Sequence, residues 1–199
     1  MEKTNEIPLF ECVIDENDFE TGVDFVALVG KPAIERNFHF FNESKKHLFQ
    51  INDERRIVSG PLMIPNLPIY RYDEKTGPYY VTFSAETIEK ICMKFMKNGF
   101  GHNVNMEHKT PVDGVFMFEC FMVDSTRGIN APSGFADLPH GTWFGSYKIE
   151  NDSVWNDKVK TGEFRGFSVE GAFDELFVLK QNQFNKRVDI VDEILDLLK

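Results

Sequence analysis

Little in this 199-residue chain could be tied together by sulfur or drawn to phosphate: it has three cysteines, and 22 lysines and arginines stand against 32 aspartates and glutamates. Cys12, Cys92 and Cys120 are odd in number, widely spaced and set in apolar patterns, which disfavours a disulfide framework or a zinc site and suits a reducing compartment. A formal net charge of -10 argues against a nonspecific grip on a phosphate backbone, so no nucleic-acid partner is expected. No stretch approaches the roughly 20 apolar residues of a membrane span. The first residues, MEKTNEIPLFECVIDEND, lack the basic start and long apolar run of an export signal, so the expected protein is neither exported nor embedded. GxSxG, P-loop and HExxH motifs are missing, and GPLMIPN lacks the glycine spacing of a nucleotide site. The residues therefore call for no metal and no cofactor. Internal repeats and low-complexity segments are missing too.

What the chain does have is 42% apolar residues, enough to bury the core of one domain. PLFECVI (8–14) and VDFVALVG (23–30), rich in β-branched and aromatic residues and bounded by Asp, Asn and Gly, read as strands. RRIVSGPLMIPNLPIYRY (55–72) continues as strand, with Pro61, Pro65 and Pro68 confining it to edges, bulges or turns. GPYYVTF (77–83) follows as another. Ser84 as N-cap, Gly99 as C′ and a stripe of Ile88, Ile91, Cys92, Phe95 and Met96 predict one clear helix between them. Further strands are expected over 101–108, 114–124, 141–149 and 164–173, and a short helix over 153–160 after Asn151 and Asp152. The polar QNQFNKR (181–187) then precedes Val188, Val191, Ile194, Leu195 and Leu198 at helical spacing. The expectation is a domain over 1–180 and a tether with an amphipathic helix over 181–199, which either docks elsewhere or packs on its own domain. The fold class expected is α+β, with a mainly antiparallel, closed sheet and a few surrounding helices.

A serine becomes a nucleophile only when a base takes its proton and donors receive the oxyanion. Ser168, in GEFRGFSVEG, is the best placed, because Gly166 and Gly171 open the backbone on either side and strand alternation puts it on one face with Glu170. Most strand serines do nothing catalytic, and composition alone does not set this one apart. Of the five histidines, His39 and His47 fall in a polar region and His140 in the turn LPHGT, whereas His102 and His108 bound HNVNMEH. His108, at a strand end where a turn begins, is the better base, although a strand-end histidine is commonly a surface residue. The third member is the least legible. Glu119 interrupts the apolar run FMFECFMV, where a carboxylate is costly unless paired; it either serves His108 or points outward between Phe118 and Cys120, and a slip of one residue in register decides which. Asp113, Glu170 and Glu193 stand as substitutes.

The order of these segments carries a resemblance. VDFVALVGKPAIERNF, RRIVSGPLMIPNLPIYR, YYVTFSAETIEKICMKFMKNG, NMEHKTPVDGVFMFECFMVD, VWNDKVKTGEF and finally RGFSVEG closely resemble the XkdF-type phage serine proteases over roughly residues 22 to 173. The resemblance implies that His108 and Ser168 are the catalytic pair and that Glu119 matches an acidic position on the strand after the histidine. The wider prohead protease group is similar to herpesvirus assemblin, which implies a closed β-barrel ringed by helices. Assemblin uses a second histidine as third member, and no histidine follows Ser168 here, so either a carboxylate takes that part or the site is a dyad. Backbone oxyanion donors from a separate loop are implied as well, and Arg127, Gly128 and Gly134 in STRGINAPSGF offer a flexible one.

By the same resemblance the chain is a serine endopeptidase of phage head maturation. It would be packed inside the procapsid in the host bacterial cytoplasm, cutting scaffold, the major capsid protein and sometimes itself, with a homo-oligomer left open. Two other readings compete: a catalytically silent protease-like scaffold or capsid-assembly factor, which intact His108 and Ser168 oppose, and a small-ester hydrolase, which the missing GxSxG elbow opposes.

Overall fold

The computed structural model describes residues 7–32 and 49–177 except 19 and 76; the expected tail over 181–199 and the histidines His39 and His47 lie outside them. Twelve strands are described: β1 Leu9–Val13, β2 Gly22–Val29, β3 Gln50–Asn52, β4 Ile57–Met63, β5 Ile69–Asp73, β6 Gly77–Phe83, β7 Val104–Met106, β8 Thr110–Pro111, β9 Val115–Met122, β10 Trp143–Ile149, β11 Gly166–Ala172 and β12 Asp174–Phe177. Among the described residues one α-helix, α1 Ala85–Lys97, separates β6 from β7.

The closed barrel expected from the sequence does not form. The strands make three open sheets of four, in the orders β12-β1-β6-β5, β3-β4-β10-β9 and β11-β2-β7-β8. Closure requires every strand to find two neighbours, and among the described residues no sheet closes on itself. β8 is two residues long and ends on Pro111, which has no N–H to donate. On the β9 edge the register shifts opposite Ser146 and Tyr147, which leaves the extra residue Phe118 half-exposed. Alternation and strand number say which residues can form a sheet, but not which strands pair. The molecule is thus mostly β rather than a barrel ringed by helices. The antiparallel expectation holds for seven of nine pairings. β1 with β6 and β2 with β7 are the parallel exceptions.

The helix follows its sequence signals. Ser84 Oγ accepts from the Thr87 N–H at 3.2 Å, Gly99 takes the left-handed conformation after the C-cap, and Ile88, Ile91, Cys92 and Phe95 of the expected stripe are buried, whereas Met96 is exposed. Burying a side chain of that size stabilises by about 1.5–3 kcal/mol, so this stripe, rather than helix propensity, fixes α1 against β2 and β10. Phe95 meets Trp143 edge-on at 5.2 Å in a core that also holds Tyr147, Leu28 and Phe167. The charged end of Lys94 donates to the carbonyls of Asp15, Asp18 and Thr21, tying the β1–β2 connection to the helix.

Elsewhere the bounds move. The long strand expected over 55–72 divides into β4 and β5 around Pro65 and Pro68. The strand expected over 101–108 shrinks to three residues, with a 3-10 turn before it and a tight turn after it. Residues Val154–Val159 form a π-helical turn, capped where Asn151 Oδ1 accepts from the Val154 N–H at 3.1 Å.

Candidate active site

Among the described residues Ser168 lies on β11, which pairs with β2, and β2 pairs in turn with β7. The register sets Ser168 opposite Ala27, and Ala27 opposite Asn105. Strands lie about 4.8 Å apart, so one row of side chains on one face spans roughly two strand spacings with only the buried methyl of Ala27 in its middle. Glu170, two residues beyond Ser168, shares that face, while Phe167 turns the other way into the core. The glycines flanking Ser168 do not leave the backbone open. A Cβ on Gly166 would lie 2.6 Å from Pro32, and one on Gly171 would lie 1.8 Å from the carbonyl oxygen of Gly22. They are required by close packing at both ends of β11.

His108 enters through a strained turn. The Lys109 N–H donates to the Met106 carbonyl at 3.0 Å, and both residues between them have positive φ, 52° at Glu107 and 58° at His108. Such turns normally carry Asn-Gly, and each left-handed non-glycine residue costs about 1–2 kcal/mol. Two ties hold the turn. Glu107 Oε1 accepts from the Gly30 N–H at 2.7 Å, and Asn105 Oδ1 accepts from the His108 N–H at 3.1 Å.

The same Asn105, only 4% exposed, donates its amide to Glu170 Oε2 at 2.9 Å, and that oxygen lies 3.2 Å from His108 Nδ1. His108 and Glu170 are both half-exposed. A pair so open to water contributes about 0–1 kcal/mol to stability, too little to explain a strained turn built around it. Its geometric consequence is larger: a carboxylate on Nδ1 keeps the proton there and leaves the Nε2 lone pair available as a base. Asn105 is the residue that sequence reasoning missed. A buried asparagine within an apolar strand was the available signal, because an amide is buried only when its hydrogen bonds are made.

Ser168 and His108 line one open cleft of about 600 Å3, together with Lys31, Arg71 and Arg165. Ser168 is buried, 8% exposed, at the wall of this cleft. No hydrogen bond joins it to His108; such bonds commonly tighten only when substrate is bound.

The other sequence candidates lie elsewhere. Glu119 is hydrogen-bonded by the Ser146 hydroxyl at 2.9 Å, and Ser146 also meets Ser59; these three line a second cleft, on the β3-β4-β10-β9 sheet. The structure does not bring Glu119 to His108. Asp113 accepts from Asn151 through its carbonyl, and Glu193 lies outside the described residues. His102 stacks on Phe116, while His140 lies 3.5 Å from Asp124. Arg127, Gly128 and Gly134 do not line the Ser168 cleft. Their loop is pinned rather than loose, with Asp124 accepting from Thr126 and from Arg127 Nε at 2.6 Å, contacts that hold its carboxyl well below the usual range.

One sulfur also approaches the site. Cys12 lines a third recess beside His108 and Glu170, but burial and then the Glu175 charge push its thiol up to about 12, far from the thiolate a nucleophile needs. Among the described residues no group of three or more His, Cys, Asp or Glu side chains could hold a metal, and no helix is long and apolar enough to cross a membrane.

The family described as Putative phage serine protease XkdF matches residues 45–176. The match spans β3 to β11 and includes His108 and Ser168, while the segment over 22–37 precedes it. No curated protein and no solved structure matches the chain.

Proposed function

This chain belongs to the phage serine protease XkdF family, and from that premise we propose that it is a serine endopeptidase whose nucleophile is Ser168, whose base is His108 and whose third member is Glu170. The observation that carries this reading is the Glu170 carboxylate on Nδ1 of a histidine that shares a cleft with the serine. Glu170 thereby takes the part that the sequence offered first to Glu119.

The chemistry is a proton relay around one acyl transfer. His108 Nε2 takes the Ser168 proton as the oxygen bonds to the scissile carbonyl carbon, and the imidazolium is steadied by Glu170. Collapse of the tetrahedral adduct breaks the C–N bond, and His108 returns its proton to the leaving amine. A water then repeats the sequence, with His108 as its base, and frees the acid and Ser168. Neither metal nor cofactor takes part in these steps.

The biological reading is processing of scaffold and major capsid protein inside the procapsid, in the host cytoplasm, during head maturation. Support comes from the family's phage serine proteases and from the open cleft of about 600 Å3 that Ser168 and His108 line. The test is co-expression with the coat and scaffold proteins of the same phage. Shortened coat chains with wild type and full-length ones with Ser168→Ala are expected. Heads that assemble with unshortened coat in both cases would instead make the chain a silent assembly factor.

A further inference from the structure

The cleft that Ser168 and His108 line also holds Lys31, Arg71 and Arg165, in a chain whose net charge is -10. Two carboxylates share it, and both are engaged. Glu163 Oε1 accepts from Lys158 Nζ at 2.5 Å, and Glu107 Oε1 accepts from the Gly30 N–H at 2.7 Å. Arg71 has partners of its own, the Tyr70 carbonyl at 3.3 Å among them. Lys31 and Arg165 differ: among the described residues neither the ammonium nor the guanidinium makes a hydrogen bond or an ion pair.

These two side chains belong to one end of the β2–β11 pair. Lys31 follows the last residue of β2 by two positions, and the Arg165 N–H donates to the carbonyl of that last residue, Val29, at 2.9 Å. Arg165 precedes Ser168 by three residues, which is about 10 Å of extended chain. We propose, resting on the reading of Ser168 as nucleophile, that Lys31 and Arg165 are specificity residues, and that the cleft selects polypeptides with aspartate or glutamate within about three residues of the scissile bond.

Charge decides the class. A substrate carboxylate would meet cations that have only water to give up, whereas a substrate lysine or arginine would set like charges side by side. An exposed ion pair is worth up to about fivefold, so two together discriminate by about five- to thirtyfold. The chain as a whole works the other way, because its net negative charge repels an acidic peptide at long range. Salt separates the two effects. Where the local cations prevail, screening slows cleavage of an acidic peptide; where the overall charge prevails, screening speeds it.

The experiment uses the full chain with a proteome-derived peptide library, cleavage sites being read by mass spectrometry, alongside labelling of the same protein by a fluorophosphonate. Near the cut, aspartate and glutamate are expected to be enriched over asparagine and glutamine, their uncharged counterparts in shape, by at least about fivefold. Lys31→Glu and Arg165→Glu should each lower that ratio by about threefold or more, and should raise cleavage of peptides carrying lysine at the same positions. Lys31 is exposed and Arg165 partly buried, so Lys31→Glu and the wild-type profile decide should Arg165→Glu fail to fold. For an acidic peptide drawn from the library, kcat/KM should fall as salt rises from about 50 to about 500 mM. Labelled protein that cuts without acidic preference or cuts nothing in the library, a ratio unchanged in the folded variants, or a rate that rises with salt overturns the assignment. A chain that neither labels nor cuts overturns the proposed activity, and the assignment falls with it.

Discussion

Glu170 Oε2 lies 3.2 Å from His108 Nδ1, and the amide of Asn105 holds that same oxygen at 2.9 Å. If this carboxylate orients the base, Glu170→Gln should lower kcat/KM by about 10- to 1,000-fold, because a neutral amide neither steadies the imidazolium nor fixes its tautomer. Glu119→Gln, changed in a separate cleft, should leave the rate within about threefold. Peptide cleavage by the two variants separates the carboxylates, and the reverse order of effects would restore Glu119.

Asn105 touches both partners of that pair, so its loss should appear twice. Asn105→Ala leaves the His108 N–H without its acceptor and Glu170 Oε2 with His108 Nδ1 alone, at a cost of about 1–3 kcal/mol in stability. Thermal denaturation should report this as a lowered Tm. In a double-mutant cycle with Glu170→Gln, the two losses of activity should be non-additive, since both act through the position of one imidazole. Additive losses would uncouple Asn105 from the site.

Cys12 lines one recess with His108 and is the other nucleophile to exclude. With its thiol pushed up to about 12, the thiolate fraction at pH 7.5 is on the order of 10^-5 to 10^-4. Iodoacetamide at that pH should leave cleavage intact, as should Cys12→Ala in a folded variant. Inhibition that tracks alkylation of Cys12 would overturn the assignment of a serine.

Elements governed by short-range chemistry were legible in the sequence. Ser84, the apolar stripe and Gly99 defined α1, and GPYYVTF coincides with β6, because caps, periodicity and turn residues act within a few positions. Pairing between distant strands was not legible. The sheets remain open because β8 and β9 do not extend the ladder, which no local pattern states. What marks Ser168 and His108 in the sequence is mainly the family resemblance. That they share a cleft depends on β2 lying between β11 and β7, with a small residue, Ala27, where their row crosses it. Glu170 was within reach as a substitute, but choosing it over Glu119 required the register. The glycines beside Ser168 suggest openness in the sequence, whereas in the fold Pro32 and Gly22 press on them.

The most direct test of the account is the site and stoichiometry of fluorophosphonate labelling, measured by intact mass and peptide mapping. One adduct per chain on the peptide bearing Ser168 is expected, lost in Ser168→Ala and slowed at least about 100-fold in folded His108→Ala. An adduct on another residue, or labelling undiminished without the imidazole, would contradict it.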